Sequence, residues 1–74
     1  AKIVRAAFAQ RRKTLWNNLR RTGLPEEMVD RVFISSGIDR TRRAETLSVE
    51  EFSLLTKTWI DSGADKFLDN QKGL

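Results

Sequence analysis

Apolar residues recur along the first third of the chain at helical spacing. Val4, Phe8, Leu15 and Leu19 fall at i, i+4, i+11 and i+15, and no Gly or Pro interrupts them before Thr22-Gly23. This pattern predicts one helix over residues 2–21, closed by Gly23. A second helix is predicted to start at Pro25, since a missing N–H costs nothing at the first helical position. Glu26, Glu27 and Asp30 suit the positive end of its dipole. Met28, Val29, Val32 and Phe33 form its inner face, and Ser35-Ser36-Gly37 ends it. Ile38 is expected to plug back into the core. Asp39 reads as the N-cap of a short helix over Arg40 to Glu45. Ser48-Val49-Glu50-Glu51 has the form of a capping box and opens a helix over 49–61. Val49, Phe52, Leu55, Thr56 and Trp59 share one side of that helix, and Ser62-Gly63 ends it. Residues 63–74 carry Phe67 and Leu68 amid mixed charge. They are expected to be a loosely ordered tail, or one loosely docked turn, beyond a helical domain of residues 1–62. No alternation of period two marks a strand, and no repeat appears. The expected fold is all-α: a small bundle of three main helices plus a short helical turn.

Size and composition narrow the chemistry. At 74 residues the chain holds one small domain. It has no cysteine to form disulfides or thiolate metal sites. It has no histidine, the commonest general base and metal ligand. No catalytic residue, no metal site and no cofactor site are therefore expected within it. No apolar run approaches the roughly 20 residues that span a bilayer, and no signal-peptide pattern opens the chain. A cysteine-free chain fits a reducing compartment, and the expectation is a cytoplasmic monomer with no membrane partner. The opening Ala1-Lys2-Ile3 lacks Met and enters helical pattern at once, so a piece of a longer protein is expected.

Charge changes the picture most. The net charge of +4 divides unevenly: residues 1–21 hold seven cations (Lys2, Arg5, Arg11, Arg12, Lys13, Arg20, Arg21) and no acid, while residues 22–74 hold seven cations and ten acids. Solvated helices usually mix both signs. An acid-free basic segment points to a polyanion, and Arg and Lys in such a segment neutralise phosphates. On a continuous helix at about 100° per residue, Arg11 falls beside the apolar stripe and Arg5 and Arg12 on its opposite edge. Lys2, Lys13 and Arg20 then share a stripe away from the core. Arg11 is expected half-buried against a carboxylate such as Glu45. Gln10, Asn17 and Asn18 add neutral hydrogen-bonding groups.

Other residues read as structural. Trp59 belongs in the core. Trp16 belongs at the core edge, with base stacking as the alternative. Of Arg40, Arg42 and Arg43, one is expected to bridge to Glu45, Glu50 or Glu51, and Arg43 is the candidate for internal pairing. The acidic pairs Glu26-Glu27 and Glu50-Glu51 are first-turn residues of helices. No glycine-rich phosphate loop and no metal-ligand spacing is present.

Two blocks resemble a known family. The run from Val4 through Gln10-Arg11-Arg12-Lys13-Thr14-Leu15-Trp16-Asn17-Asn18-Leu19 resembles the start of the C-terminal domain of the small-subunit rRNA adenine dimethyltransferases, the kasugamycin-sensitivity methyltransferase family. So does the run Gly37-Ile38-Asp39 through Arg42-Arg43-Ala44-Glu45-Thr46-Leu47-Ser48-Val49-Glu50-Glu51-Phe52. The order and separation of the two blocks agree with the family. One departure is Arg40, where the family often has Pro after the Asp. The resemblance implies a parent whose separate Rossmann-like domain binds S-adenosylmethionine and methylates two adjacent adenines near the 3′ end of small-subunit rRNA. It implies that this segment helps hold the immature small ribosomal subunit. Arg11, Arg12 and Lys13 match the family's basic motif and are the expected rRNA contacts. Arg20 joins them from charge placement alone. The parent's cofactor and catalytic motifs do not occur here, so no catalytic residue carries over. Alternatives are the related macrolide-resistance methyltransferases of large-subunit rRNA, a helical DNA-binding module and a protein-interaction bundle.

Overall fold

A computed structural model describes residues 2–72. It is all-α, with no strand among the described residues. Five helices follow in order: α1 (Lys2–Ala7), α2 (Leu15–Arg20), α3 (Glu26–Ser36), α4 (Val49–Asp61) and α5 (Ala64–Lys72). A 3-10 turn, Ala44–Thr46, lies between α3 and α4.

The single helix predicted over 2–21 is two helices joined by a non-helical loop. Thr14 adopts an extended conformation and caps α2, its side chain accepting from the Asn17 N–H at 3.2 Å. A continuous helix would send the Leu15 and Trp16 N–H groups to the carbonyls of Arg11 and Arg12. Instead Leu15 N–H donates to Arg42 O at 2.8 Å and Trp16 N–H to Arg40 O at 3.1 Å. The carbonyl freed at the end of α1 is taken up by Asn18, whose Nδ2 donates to Ala7 O at 2.9 Å and also to the loop carbonyl Gln10 O at 3.1 Å. The Leu15 and Trp16 N–H groups and the Ala7 carbonyl thus find partners outside a continuous ladder, and no Gly or Pro is needed to break it. The break also rotates the core face. Ile3 and Ala7 are buried, whereas Val4 and Phe8 are about half exposed (51% and 47%). Phe8 instead stacks on Phe52, ring centroids 5.7 Å apart.

The later elements follow local signals more closely. Pro25 is the N-cap of α3, one place before its predicted role, and Val29, Val32 and Phe33 point inward. Gly37 ends α3 with φ +72° and its N–H donating to Phe33 O at 2.9 Å, a conformation that favours glycine. Ile38 is buried as expected. Asp39 does not start a helix. Its Oδ1 accepts from both Thr41 N–H and Thr41 Oγ1, making an Asx turn, and the helical turn comes later at Ala44. The capping box at Ser48 and Glu51 is complete in both directions. Leu55 and Trp59 lie at the centre of the core, but Val49, at the first position of α4, is 79% exposed.

Residues 64–72 are a helix of nine residues, longer than the loose tail or single docked turn expected there. Ala64 is fully buried, and Phe67 and Leu68 pack against the core. Asp65 ties three elements together: it accepts from the Trp59 indole N–H and, at 3.1 Å, from the Lys2 backbone N–H. Lys2 Nζ reaches Asp69 at 2.9 Å. Residues 73 and 74 of the predicted tail lie outside the described residues.

Candidate nucleic-acid interface

Arg11, Arg12 and Lys13 sit on the loop between α1 and α2, and all three are exposed. They do not fan around a helix as the continuous-helix reading required. The loop that carries them is nonetheless held. Asn18, 2% exposed, grips it from below through two carbonyls, so its amide must present its NH2 to them. At the far end of the loop, the start of α2 is pinned to the 40–42 segment by the bonds from Leu15 and Trp16. With Thr14 accepting from Asn17 through its side chain and from Asn18 through its carbonyl, the first four N–H groups of α2 are all satisfied. Any anion here must be bound by side chains rather than by a helix terminus.

The cations then separate by what they already hold. Arg40 is committed: it lies over the Trp16 ring, 4.3 Å from guanidinium carbon to centroid, and pairs with Asp30 at 2.7 Å. That covers one face of Trp16, which also packs on Phe33, so Trp16 is a core-edge residue. Arg42 is committed to Glu51 and to the Thr46 carbonyl. Hydrogen bonds from Arg42 and from the Ser48 backbone hold the Glu51 carboxyl down at about 2, well below its ordinary 4.5. Arg20 is half-committed: it donates to Leu24 O at 2.8 Å and stands 3.9 Å from Glu26.

Arg11, Arg12, Lys13, Arg21 and Arg43 are exposed and form no ion pair among the described residues. The pairing expected for Arg11 with Glu45 is not made, although the two flank one small cleft with Phe8 and Lys13. Nor is the internal pairing expected for Arg43 made; its neighbour Arg42 pairs instead, with Glu51. Sequence reasoning missed Asn18 as the clamp. A carboxamide three places after Leu15, on the face that carries Leu19, was the available signal, because a buried amide in that position needs backbone partners.

Comparison with known proteins bears on what such a surface serves. No family model matches the chain, and no solved structure matches it. A Bacillus mycoides protein described as ribosomal RNA small subunit methyltransferase A is 53% identical over 62 residues, covering 78% of this chain and 21% of its own length. A Clostridium perfringens protein of the same description is 44% identical over 68 residues, covering 92% of this chain and 22% of its own. The Bacillus thuringiensis counterpart is 52% identical over 62 residues. The chain is a relative of this methyltransferase family. It spans about a fifth of the length of the curated relatives it matches. The family these relatives carry is the one the two sequence blocks resemble. The backbone bonds between α2 and the 40–42 segment join those same two blocks in space.

Proposed function

We propose that the chain is the rRNA-docking domain of an S-adenosylmethionine-dependent dimethyltransferase, which modifies two adjacent adenines near the 3′ end of small-subunit rRNA. It acts in the cytoplasm as part of a monomeric enzyme that engages the immature small subunit. The observation that carries this reading is the loop at Arg11, Arg12 and Lys13: exposed, without acid partners among the described residues, yet held by a buried Asn18 and by the 40–42 backbone. Folded RNA is recognised largely through shape and backbone phosphates, and preset cations on a rigid base suit that task. Arg43, exposed beside the pinned segment, extends the same surface. The chain has no glycine-rich loop, so the methyl donor and the methyl transfer belong to the rest of the parent protein. The small-subunit name of the relatives favours this reading over a large-subunit methyltransferase. A DNA-reading module would place its cations on a recognition helix rather than on a loop before a six-residue helix.

The test is to replace Arg11, Arg12 and Lys13 together with Ala in the full-length enzyme and titrate it against immature small subunits. The expected result is weaker binding, with the slope of log affinity against log salt reduced by about 2–3. Unchanged affinity and slope in a folded variant would remove the RNA role of the loop.

A further inference from the structure

The outer face of α2 continues the cationic surface away from the loop. Lys13, Asn17, Arg20 and Arg21 line one shallow depression, with no acid among its lining residues. Asn17, Arg20 and Arg21 stand at i, i+3 and i+4 and so share a helix face. Lys13 lines both this depression and the small cleft beside Arg11. Lys13 therefore links the loop to the depression on α2.

We propose that this depression is a second phosphate-binding notch, in which Lys13, Asn17 and Arg21 take a backbone phosphate of helical RNA; the inference rests on the docking function above and deepens it. Three like charges around one hollow repel one another in the free protein, and a bound anion relieves that repulsion. Lys13 and Arg21 have no ion pair among the described residues and are free to turn toward a ligand. Arg20 serves as the fixed wall, its guanidinium held by the Leu24 carbonyl. The exposed Asn17 carboxamide supplies a neutral N–H donor, while its backbone N–H is already used in the cap from Thr14. An open, polar hollow suits a phosphate presented by a strand passing across it. Enclosed apolar pockets are the form small molecules prefer. The contact involves no base, so it adds affinity and orientation without sequence preference.

Arg21→Ala and Asn17→Ala test the notch, because both side chains are exposed and neither donates a side-chain hydrogen bond within the fold. The full-length protein is titrated at several salt concentrations against a small-subunit rRNA fragment and against an unrelated RNA duplex. Arg21→Ala is expected to weaken both complexes by a similar factor, roughly threefold, and to lower the salt slope by about 1. Asn17→Ala is expected to weaken both with no change in slope. Wild-type affinity and slope in Arg21→Ala, beside clear loss in Arg11→Ala/Arg12→Ala, would overturn the notch and leave the docking function standing. No loss in either variant would overturn both. A loss in Arg21→Ala without a change in slope would also overturn the notch, since a phosphate contact must release counterions.

Discussion

At the scale of single residues, Asn18 decides whether the basic loop has a shape. Its side chain is buried and its NH2 group binds two loop carbonyls. In Asn18→Ala the Ala7 carbonyl loses its donor and the Gln10 carbonyl keeps only the Lys13 N–H, at a cost of about 1–3 kcal/mol. For a domain of this size that corresponds to a drop in Tm of roughly 4–8 °C per kcal/mol, measurable by circular dichroism. The RNA readout is more telling. The three cations remain, so the salt slope should stay near wild type while affinity falls, because the loop must now be ordered on binding. A variant that melts earlier but binds RNA with full affinity would mean that the loop's shape is irrelevant to docking. Trp16 makes the converse point. Its core-edge place was legible in the sequence, and the stacking alternative gives way because Arg40 lies on the indole, anchored in turn by Asp30, so its work is to fix the segment that pins α2.

At the scale of elements, what was legible in the sequence is what is caused locally. The capping box at Ser48, the Gly37 terminus and the acidic start of α3 all depend on neighbours a few residues away, and all appear where expected. The break at residues 8–13 was illegible because its cause lies elsewhere: the carbonyls of Arg40 and Arg42 claim the N–H groups of Trp16 and Leu15. The same holds for the candidate site. Arg11, Arg12 and Lys13 could be read from composition and resemblance, but their setting on a loop rather than a helix could not. Arg43 was misassigned because nearness in sequence to Glu45 does not make a pair in the fold, whereas Arg42 reaches Glu51 from another element. The ion pair that Arg42 makes with Glu51 has a pH signature. The Glu51 pKa is depressed in the fold to about 2 from an ordinary 4.5. A depressed carboxylate stabilises the fold above its unfolded value, and that contribution is lost as pH falls through the window between the two. Melting temperature should therefore decline as pH is lowered from about 5 toward 2, and Glu51→Gln should be less stable at neutral pH and show a flatter profile. Wild type and Glu51→Gln with parallel profiles over that window would show that the pair is silent, as exposed pairs often are.

At the scale of the whole molecule, the acid-free first 21 residues are balanced by acids brought from the other end. Asp65 and Asp69 of α5 meet the backbone and side chain of Lys2, and Asp65 also receives the Trp59 indole. The basic arm is thereby tied to the bundle at α1, away from the loop that carries the exposed Arg11, Arg12 and Lys13. This arrangement makes α5 part of the folding unit, so the domain should run past residue 62 to the end of that helix. Truncation after Ser62 tests the boundary. It removes the buried Ala64 and the packed Phe67 and Leu68, and leaves the indole N–H of the fully buried Trp59 without Asp65. An unpaired buried donor alone costs about 1–3 kcal/mol, and the lost apolar packing adds to it. Against a total stability of roughly 4–11 kcal/mol for a chain of this length, the truncated protein should melt many degrees lower or fail to fold. Asp65→Asn provides the milder control: it keeps the helix and an acceptor for the indole while removing the charge, and should cost much less. If the truncated chain instead melts with the same midpoint and cooperativity as the whole, α5 is an appendage and the folding unit closes at α4. If it unfolds while Asp65→Asn stays folded, the last helix holds the basic arm in place, and RNA docking depends on a segment outside that arm.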